Sequence, residues 1–206
     1  MKASTRIVVS ALAVIALAPA VADAKPTWRI YGVGNYSQFK AEVDGTASRF
    51  STNRKLGFGG GIGVEAMLGK MVSLEAGGAF IQRKSEIAGT TTTFNFIEVP
   101  VLFRLWFGNI VNVGLGGYVG MGIGDISQSA GGVSGTTTYA LAGLKTLDYG
   151  ALGSVGFDIP MGSSAGIFVE GRYAYGLANA SDVAGVTGKF NDMRAVAGFR
   201  FGGSKK

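Results

Sequence analysis

The chain has 206 residues, enough for one domain, of which 47% are hydrophobic and only 16% charged, whereas a soluble domain carries about 25% charged residues. The 35 glycines and 4 prolines argue against a disordered linker and against the strict triplet repeat of collagen. Cysteine and histidine are absent, which excludes disulfides, thiol chemistry and the commonest general base and metal ligand. The net charge of +6 is dispersed, so we expect no nucleic-acid partner. We also expect no cofactor and, without histidine or cysteine ligands, no metal.

The N-terminus has the features of a secretory signal peptide. Basic residues precede the apolar stretch Ile7–Ala18, and Ala22-Asp23-Ala24 provides a small-x-small cleavage pattern. The apolar stretch is too short for a membrane-spanning helix, which needs about 20 residues. We therefore expect residues 1–24 to be removed and residues 25–206 to form a single domain.

The remainder of the chain contains segments in which apolar residues alternate with polar or small ones, as in half-buried β-strands. Their length is close to that of a tilted membrane-spanning strand, about 9–11 residues. The predicted strands are Trp28–Phe39, Leu56–Leu68, Met71–Arg83, Phe94–Phe107, Ile110–Gly124, Leu147–Asp158, Gly166–Leu177 and Phe190–Phe201.

The connections between these segments alternate in length. Short connections are expected at 69–70, 108–109 and 159–165, and long ones at about 40–55, 84–93, 125–146 and 178–189. Outer-membrane barrels have short periplasmic turns and longer extracellular loops. The pattern predicts an all-β fold, an eight-stranded antiparallel up-and-down transmembrane β-barrel in the outer membrane with periplasmic termini.

Charged residues within the segments fall on the face opposite the apolar row, as the cost of about 2–4 kcal/mol for a lipid-facing Lys or Arg requires. The lumen of an eight-stranded barrel is only wide enough for side chains to fill. We therefore expect a structural ion-pair plug around Glu98, Arg104, Glu170 and Arg172, rather than catalytic carboxylates or an open pore. The predicted network comprises Arg29, Glu65, Glu75, Glu98, Arg104, Asp158, Glu170, Arg172, Arg194 and Arg200. Arg83, Asp148 and Asp192 fall on the same face.

Aromatic residues cluster near the segment ends, as in the interfacial girdles of membrane barrels. The girdle expected at the short-turn end contains Trp28, Trp106, Phe107, Phe199 and Phe201. The girdle expected at the long-loop end contains Tyr36, Phe39, Phe58, Phe80, Phe94, Tyr175 and Phe190.

Two segments resemble those of a known family. Phe96-Ile97-Glu98-Val99-Pro100-Val101-Leu102-Phe103-Arg104 resembles the fourth strand of PorT-like outer-membrane β-barrels, and Glu170-Gly171-Arg172-Tyr173-Ala174-Tyr175-Gly176-Leu177 resembles the seventh. The resemblance implies a small eight-stranded outer-membrane barrel. One departure concerns the end of the chain, where Phe201 is followed by five further residues, although such barrels often end on an aromatic residue.

The leading functional hypothesis is a non-enzymatic barrel with an envelope-structural role or a surface-interaction role through its long loops. Expected partners are outer-membrane lipid and the barrel-insertion machinery, and the expected state is a monomer. The alternatives are a narrow porin-like channel, a lipid-modifying enzyme and a soluble secreted lipid-binding barrel. The enzyme is disfavoured by the missing histidine.

Overall fold

The computed structural model describes residues 26–43, 49–162 and 164–203. The predicted signal peptide, residues 1–24, lies outside the described residues. No helix within the described ranges is long and apolar enough to cross a membrane.

The described residues form one antiparallel sheet of ten strands that closes on itself. The strands are β1 (Thr27–Val43), β2 (Arg49–Ser51), β3 (Asn53–Met67), β4 (Val72–Ile87), β5 (Thr90–Phe107), β6 (Val111–Ala130), β7 (Val133–Thr137), β8 (Leu147–Pro160), β9 (Ala165–Gly176) and β10 (Val186–Gly202). Eight of them form the ring, in the order β1, β3, β4, β5, β6, β8, β9, β10. The short β2 pairs with β1, and β7 pairs with β6, so both lie outside the ring.

The ring closes where β10 pairs with β1 along their whole length, from Thr27 opposite Gly202 to Val43 opposite Val186. Closure leaves no barrel strand with an unpaired edge, which is the condition for a sheet to sit in lipid. The eight-stranded, up-and-down fold predicted from the sequence is confirmed.

The connections at the two ends of the barrel differ in length, but two of the long loops predicted from the sequence are largely or partly strand in the structure. The connections 68–71, 108–110 and 161–164 at one end are short. At the other end, the long loop expected over 84–93 is wrong, because β4 and β5 continue to a two-residue turn at Ala88 and Gly89. Both turn residues have positive φ, 47° and 79°, as in the type I′ turns that suit twisted hairpins. The expected loop over 125–146 likewise contains the end of β6 and all of β7.

The two faces of the wall separate apolar from charged residues. The outward side chains are apolar and exposed, among them Ile30, Ile62, Phe103, Leu115, Val155, Val169 and Phe199. The inward charged side chains are buried, among them Arg29, Glu75, Glu98, Arg104, Glu170 and Arg194. Such a surface would be insoluble in water and matches a hydrocarbon environment.

Several aromatic residues lie elsewhere than the girdle prediction places them. Trp106 is only 1% exposed and points into the barrel, because it shares the alternation row of Glu98 and Arg104 rather than that of Phe107. The other aromatics of the predicted short-turn girdle are exposed and outward, namely Trp28, Phe107, Phe199 and Phe201. At the opposite end, Phe94 and Phe190 are buried inside the barrel, and Phe39 is partly buried against them.

Candidate functional site: a filled lumen

The lumen is filled by layers of side chains that can be followed along β5. Starting from the long-loop end, the inward residues of this strand are Phe94, Phe96, Glu98, Pro100, Leu102, Arg104 and Trp106. In this order they pass through four layers, and each layer also receives residues from other strands.

The first layer is an aromatic cap at the long-loop mouth. It consists of Phe94, Phe96, Ile126, Tyr139, Ala180 and Phe190. Phe190 packs edge-on against Phe94 and Phe96, with ring centroids 5.3 and 5.8 Å away. Tyr139, from the β7–β8 connection, donates its hydroxyl to the Asn95 carbonyl oxygen at 3.3 Å. Burial raises the pKa of this phenol to about 12, so it stays a neutral donor at neutral pH.

Below the cap lies the outer cluster, composed of Arg83, Glu98, Asp148, Asp192 and Arg194. Arg83 uses its three nitrogens on three carboxylates, at 2.8 Å from Glu98, 2.7 Å from Asp148 and 2.9 Å from Asp192. Arg194 also contacts Glu98 and Asp192, each at 2.7 Å. Two guanidinium groups thus face three carboxylates, which leaves the cluster with a formal excess of one negative charge.

The Arg83 guanidinium also faces aromatic rings of the cap. Its central carbon lies 4.4 Å from the centre of the Phe96 ring and 4.9 Å from that of Phe190. Cation–π contacts of this kind contribute most where water is excluded. The cap and the outer cluster therefore form one packed unit.

An apolar layer separates the outer cluster from a second one. Its side chains include Val33, Ile81, Leu102, Leu152, Phe168, Ala174 and Val196. Leu102 and Leu152 are fully buried at mid-height. Two tyrosines belong to the same clusters, Tyr31 and Tyr118, and Tyr118 donates its hydroxyl to Asp148 of the outer cluster at 3.0 Å. The other side chains of the layer present no polar atoms, so the layer offers no continuous ladder of donors and acceptors for ions crossing the barrel.

The inner cluster, composed of Arg29, Glu65, Glu75, Arg104, Glu170 and Arg172, lies toward the short turns. Arg104 and Arg172 each bridge Glu75 and Glu170, at distances from 2.7 to 3.1 Å. Arg29 reaches the same two carboxylates, each at 3.3 Å, and Glu65 at 3.1 Å. Three Arg thus balance three Glu. This balance and the shared contacts suit a buried network, because buried charge is costly unless it is paired.

Trp106 completes the inner cluster. Its indole Nε1 lies 2.9 Å from both Glu65 Oε1 and Ser73 Oγ. A separate pair, Arg200 with Asp158 at 2.8 Å, lies nearest the short-turn end. Trp106, which the sequence places in a lipid-facing girdle, is therefore part of the packed lumen at the short-turn end.

The structure places all ten residues of the predicted network inside the barrel, but they belong to the outer cluster, the inner cluster and the separate pair of Arg200 with Asp158. Glu98 was expected beside Arg104 and Glu170, yet it pairs with Arg83 and Arg194 in the outer cluster. The prediction left out Arg83, Asp148 and Asp192, although alternation put them on the charged face. Arg83 could have been included from the sequence, because it lies on the same face of its strand as Glu75.

The geometry defines a membrane-spanning β-barrel whose lumen is packed with side chains. The model of the family described as outer membrane protein beta-barrel domain matches residues 27–182. The chain belongs to this family, and it is a protein of the cell outer membrane.

Solved structures of several small outer-membrane proteins resemble the chain. Ail, the attachment invasion locus protein of Yersinia pestis, is 17% identical, with 86% of this chain and 99% of that chain covered and a TM-score of 0.43. OprG from Pseudomonas aeruginosa is 14% identical, with 87% and 95% covered and a TM-score of 0.49. Neisserial surface protein A is 14% identical, with 84% and 96% covered and a TM-score of 0.47. No curated protein matches the chain in sequence.

Proposed function

We propose that the chain is a non-conducting, non-enzymatic outer-membrane barrel. We propose that it makes surface contacts through the part of its sheet that projects from the membrane at the long-loop end of the barrel. The observation that carries this proposal is the packed lumen. Every carboxylate in the two clusters is paired with at least one Arg, which leaves none free to act as a general base. The stacked layers fill the space that a channel would need.

The projecting part of the sheet supports the surface-contact role. A membrane-spanning strand needs about 9–11 residues, whereas β5 and β6 have 18 and 20. Apolar side chains are exposed beyond the barrel strands, with Val133 at 76% and Leu141 at 83%. Because about 9–11 residues of each strand already span the membrane, we assign these side chains to a macromolecular contact rather than to membrane insertion.

Conductance in planar bilayers tests the packed lumen. We expect purified barrel to produce no steady channels, and porin-like steps would contradict the proposal in favour of a narrow channel. Release of fatty acid from lipid by cells that produce the barrel, absent from cells that do not, would contradict the non-enzymatic assignment. The narrower resemblance to PorT-like barrels remains a prediction.

Shortening the β6–β7 hairpin tests the surface contact. Deletion of residues 129–134 removes Val133 and leaves Ser127 opposite Thr136, which are already paired. We expect unchanged insertion and envelope resistance to detergent, with reduced adhesion of cells to surfaces or to one another. Unchanged adhesion with weakened detergent resistance would instead indicate an envelope-structural role.

A further inference from the structure

The outward face of the barrel carries a groove of about 830 Å³. Small residues that lie side by side on three strands form its floor, because Gly34 is opposite Ala195, and Ala195 is opposite Gly171. Tyr36 and Met193, which are also opposite each other, line it on the side of the long-loop end. A groove at this height faces the acyl chains of the membrane.

An unusual pair of charges lies above the groove on the same two strands. From Tyr36 opposite Met193, the ladder continues to Lys40 opposite Lys189, about 13 Å farther along the strand. Like charges directly across a strand pair are destabilising. In the described part of the chain neither lysine has an ion-pair partner, whereas Lys55 is paired with Glu86 at 2.7 Å.

A third cation is held between the groove and the lysine pair. Arg54 donates to the Tyr36 carbonyl oxygen at 3.1 Å and to Gln38 Oε1 at 3.4 Å. This level of the wall thus offers three cations that have no ion-pair partner among the described residues, directly above an apolar groove.

We propose that this face binds one anionic, phosphate-bearing lipid of the surrounding leaflet, with its acyl chains in the groove and its phosphate among Lys40, Arg54 and Lys189. The phosphate supplies the counter-charge that these cations lack among the described residues. The groove commits the site to a lipid rather than to free phosphate, because an inorganic anion would gain nothing from the apolar floor. The inference requires the membrane location but not the surface-contact function proposed above.

The test is retention of lipid by the full chain in phosphatidylcholine nanodiscs doped with diphosphoryl lipid A or phosphatidylglycerol, measured by native mass spectrometry after detergent extraction. For Lys40→Gln/Lys189→Gln we expect retention of the anionic lipid to fall roughly fivefold per lysine, about 25-fold for both. The matched control is Lys70→Gln, the same change at an exposed position in a short turn. Unchanged retention in the double variant would overturn the proposal.

The groove is tested separately with Gly171→Leu, because a Cβ added to Gly171 would meet no atom within 4 Å. We expect this variant to fold normally and to lose the retained lipid. Retention equal to that of the unsubstituted chain, or displacement of the lipid by inorganic phosphate, would contradict a lipid site. If the lysine variant does not fold, salt titration of the unsubstituted chain replaces it, and retention independent of salt would refute the role of the cations.

Discussion

Arg83 is the residue on which the outer cluster depends, because its one guanidinium contacts carboxylates from three other strands. The side chain is fully buried, so its removal takes the positive charge away from carboxylates that bulk water does not reach. Within the outer cluster Arg194 would still contact Glu98 and Asp192, but Asp148 would lose the guanidinium that it contacts.

Arg83→Met should therefore destabilise the barrel by about 3–5 kcal/mol, the usual cost of removing one partner from a buried ion pair. The measurement is urea unfolding of the protein refolded in lipid vesicles. The control is Lys84→Gln at the next, outward position, for which a change within about 0.5 kcal/mol is expected. Equal midpoints for the two variants would show that the outer cluster does not stabilise the fold.

The two tryptophans, Trp28 and Trp106, report directly on which face meets lipid. Trp28 is 46% exposed on the outside, whereas Trp106 is 1% exposed in the lumen. In vesicles of brominated phosphatidylcholine we expect strong quenching of the Trp106→Phe variant, which retains Trp28. The Trp28→Phe variant should be quenched weakly. The opposite order would place the charged face outward.

Alternation predicted which residues enter the lumen, but it could not predict their partners. Glu98 and Arg104 lie in the same row of one strand, yet they belong to different clusters. Which charges meet across the lumen depends on the stagger of strands far apart in the chain, and this stagger is set by barrel closure. For Trp106, alternation along the strand predicts the direction of the side chain better than its position near the strand end does. Trp106 is two residues from Arg104 and therefore points into the lumen as Arg104 does.

The β1–β10 seam is the element that turns the sheet into a barrel, and Gly198 allows its two strands to approach closely. A Cβ added at Gly198 would collide with the Ile30 carbonyl oxygen and lie 2.7 Å from the Tyr31 Cα. Gly32, on the other strand of the seam, has nothing within 4 Å of its added Cβ.

Gly198→Ala should therefore destabilise the seam by about 1–3 kcal/mol through overpacking, whereas Gly32→Ala should be neutral or slightly stabilising. Both effects can be followed by the temperature at which the folded band disappears in electrophoresis without boiling. Identical behaviour of the two variants would mean that the seam tolerates a wider strand spacing.

The extents of the strands were harder to predict than their existence. Within the membrane, lipid on one face and a packed lumen on the other impose alternation, and all eight barrel strands could be recognised. Beyond the membrane both faces of the sheet can meet water, so Lys84–Glu86 and Thr90–Thr93 are polar in consecutive positions and resemble a loop in sequence. Their pairing is visible only in the structure, where Ile87 is opposite Thr90.

For the whole molecule, the fold and the family place the barrel in the outer membrane, and the unequal ends predict its orientation. Short turns of outer-membrane barrels face the periplasm, which would put Lys70 on the periplasmic side and the β6–β7 hairpin outside the cell. The chain contains no cysteine, so single cysteines can be introduced without altering a native thiol. Ser134, in the hairpin, and Lys70, in a short turn, are both exposed.

Labelling of intact cells with a membrane-impermeant maleimide should therefore modify Ser134→Cys and leave Lys70→Cys unmodified. After the outer membrane is permeabilised, both should react to a similar extent, because both positions are open to solvent. This second step separates protection by the membrane from an unreactive thiol. Labelling of Lys70→Cys on intact cells, with Ser134→Cys protected, would mean that the barrel sits in the opposite orientation.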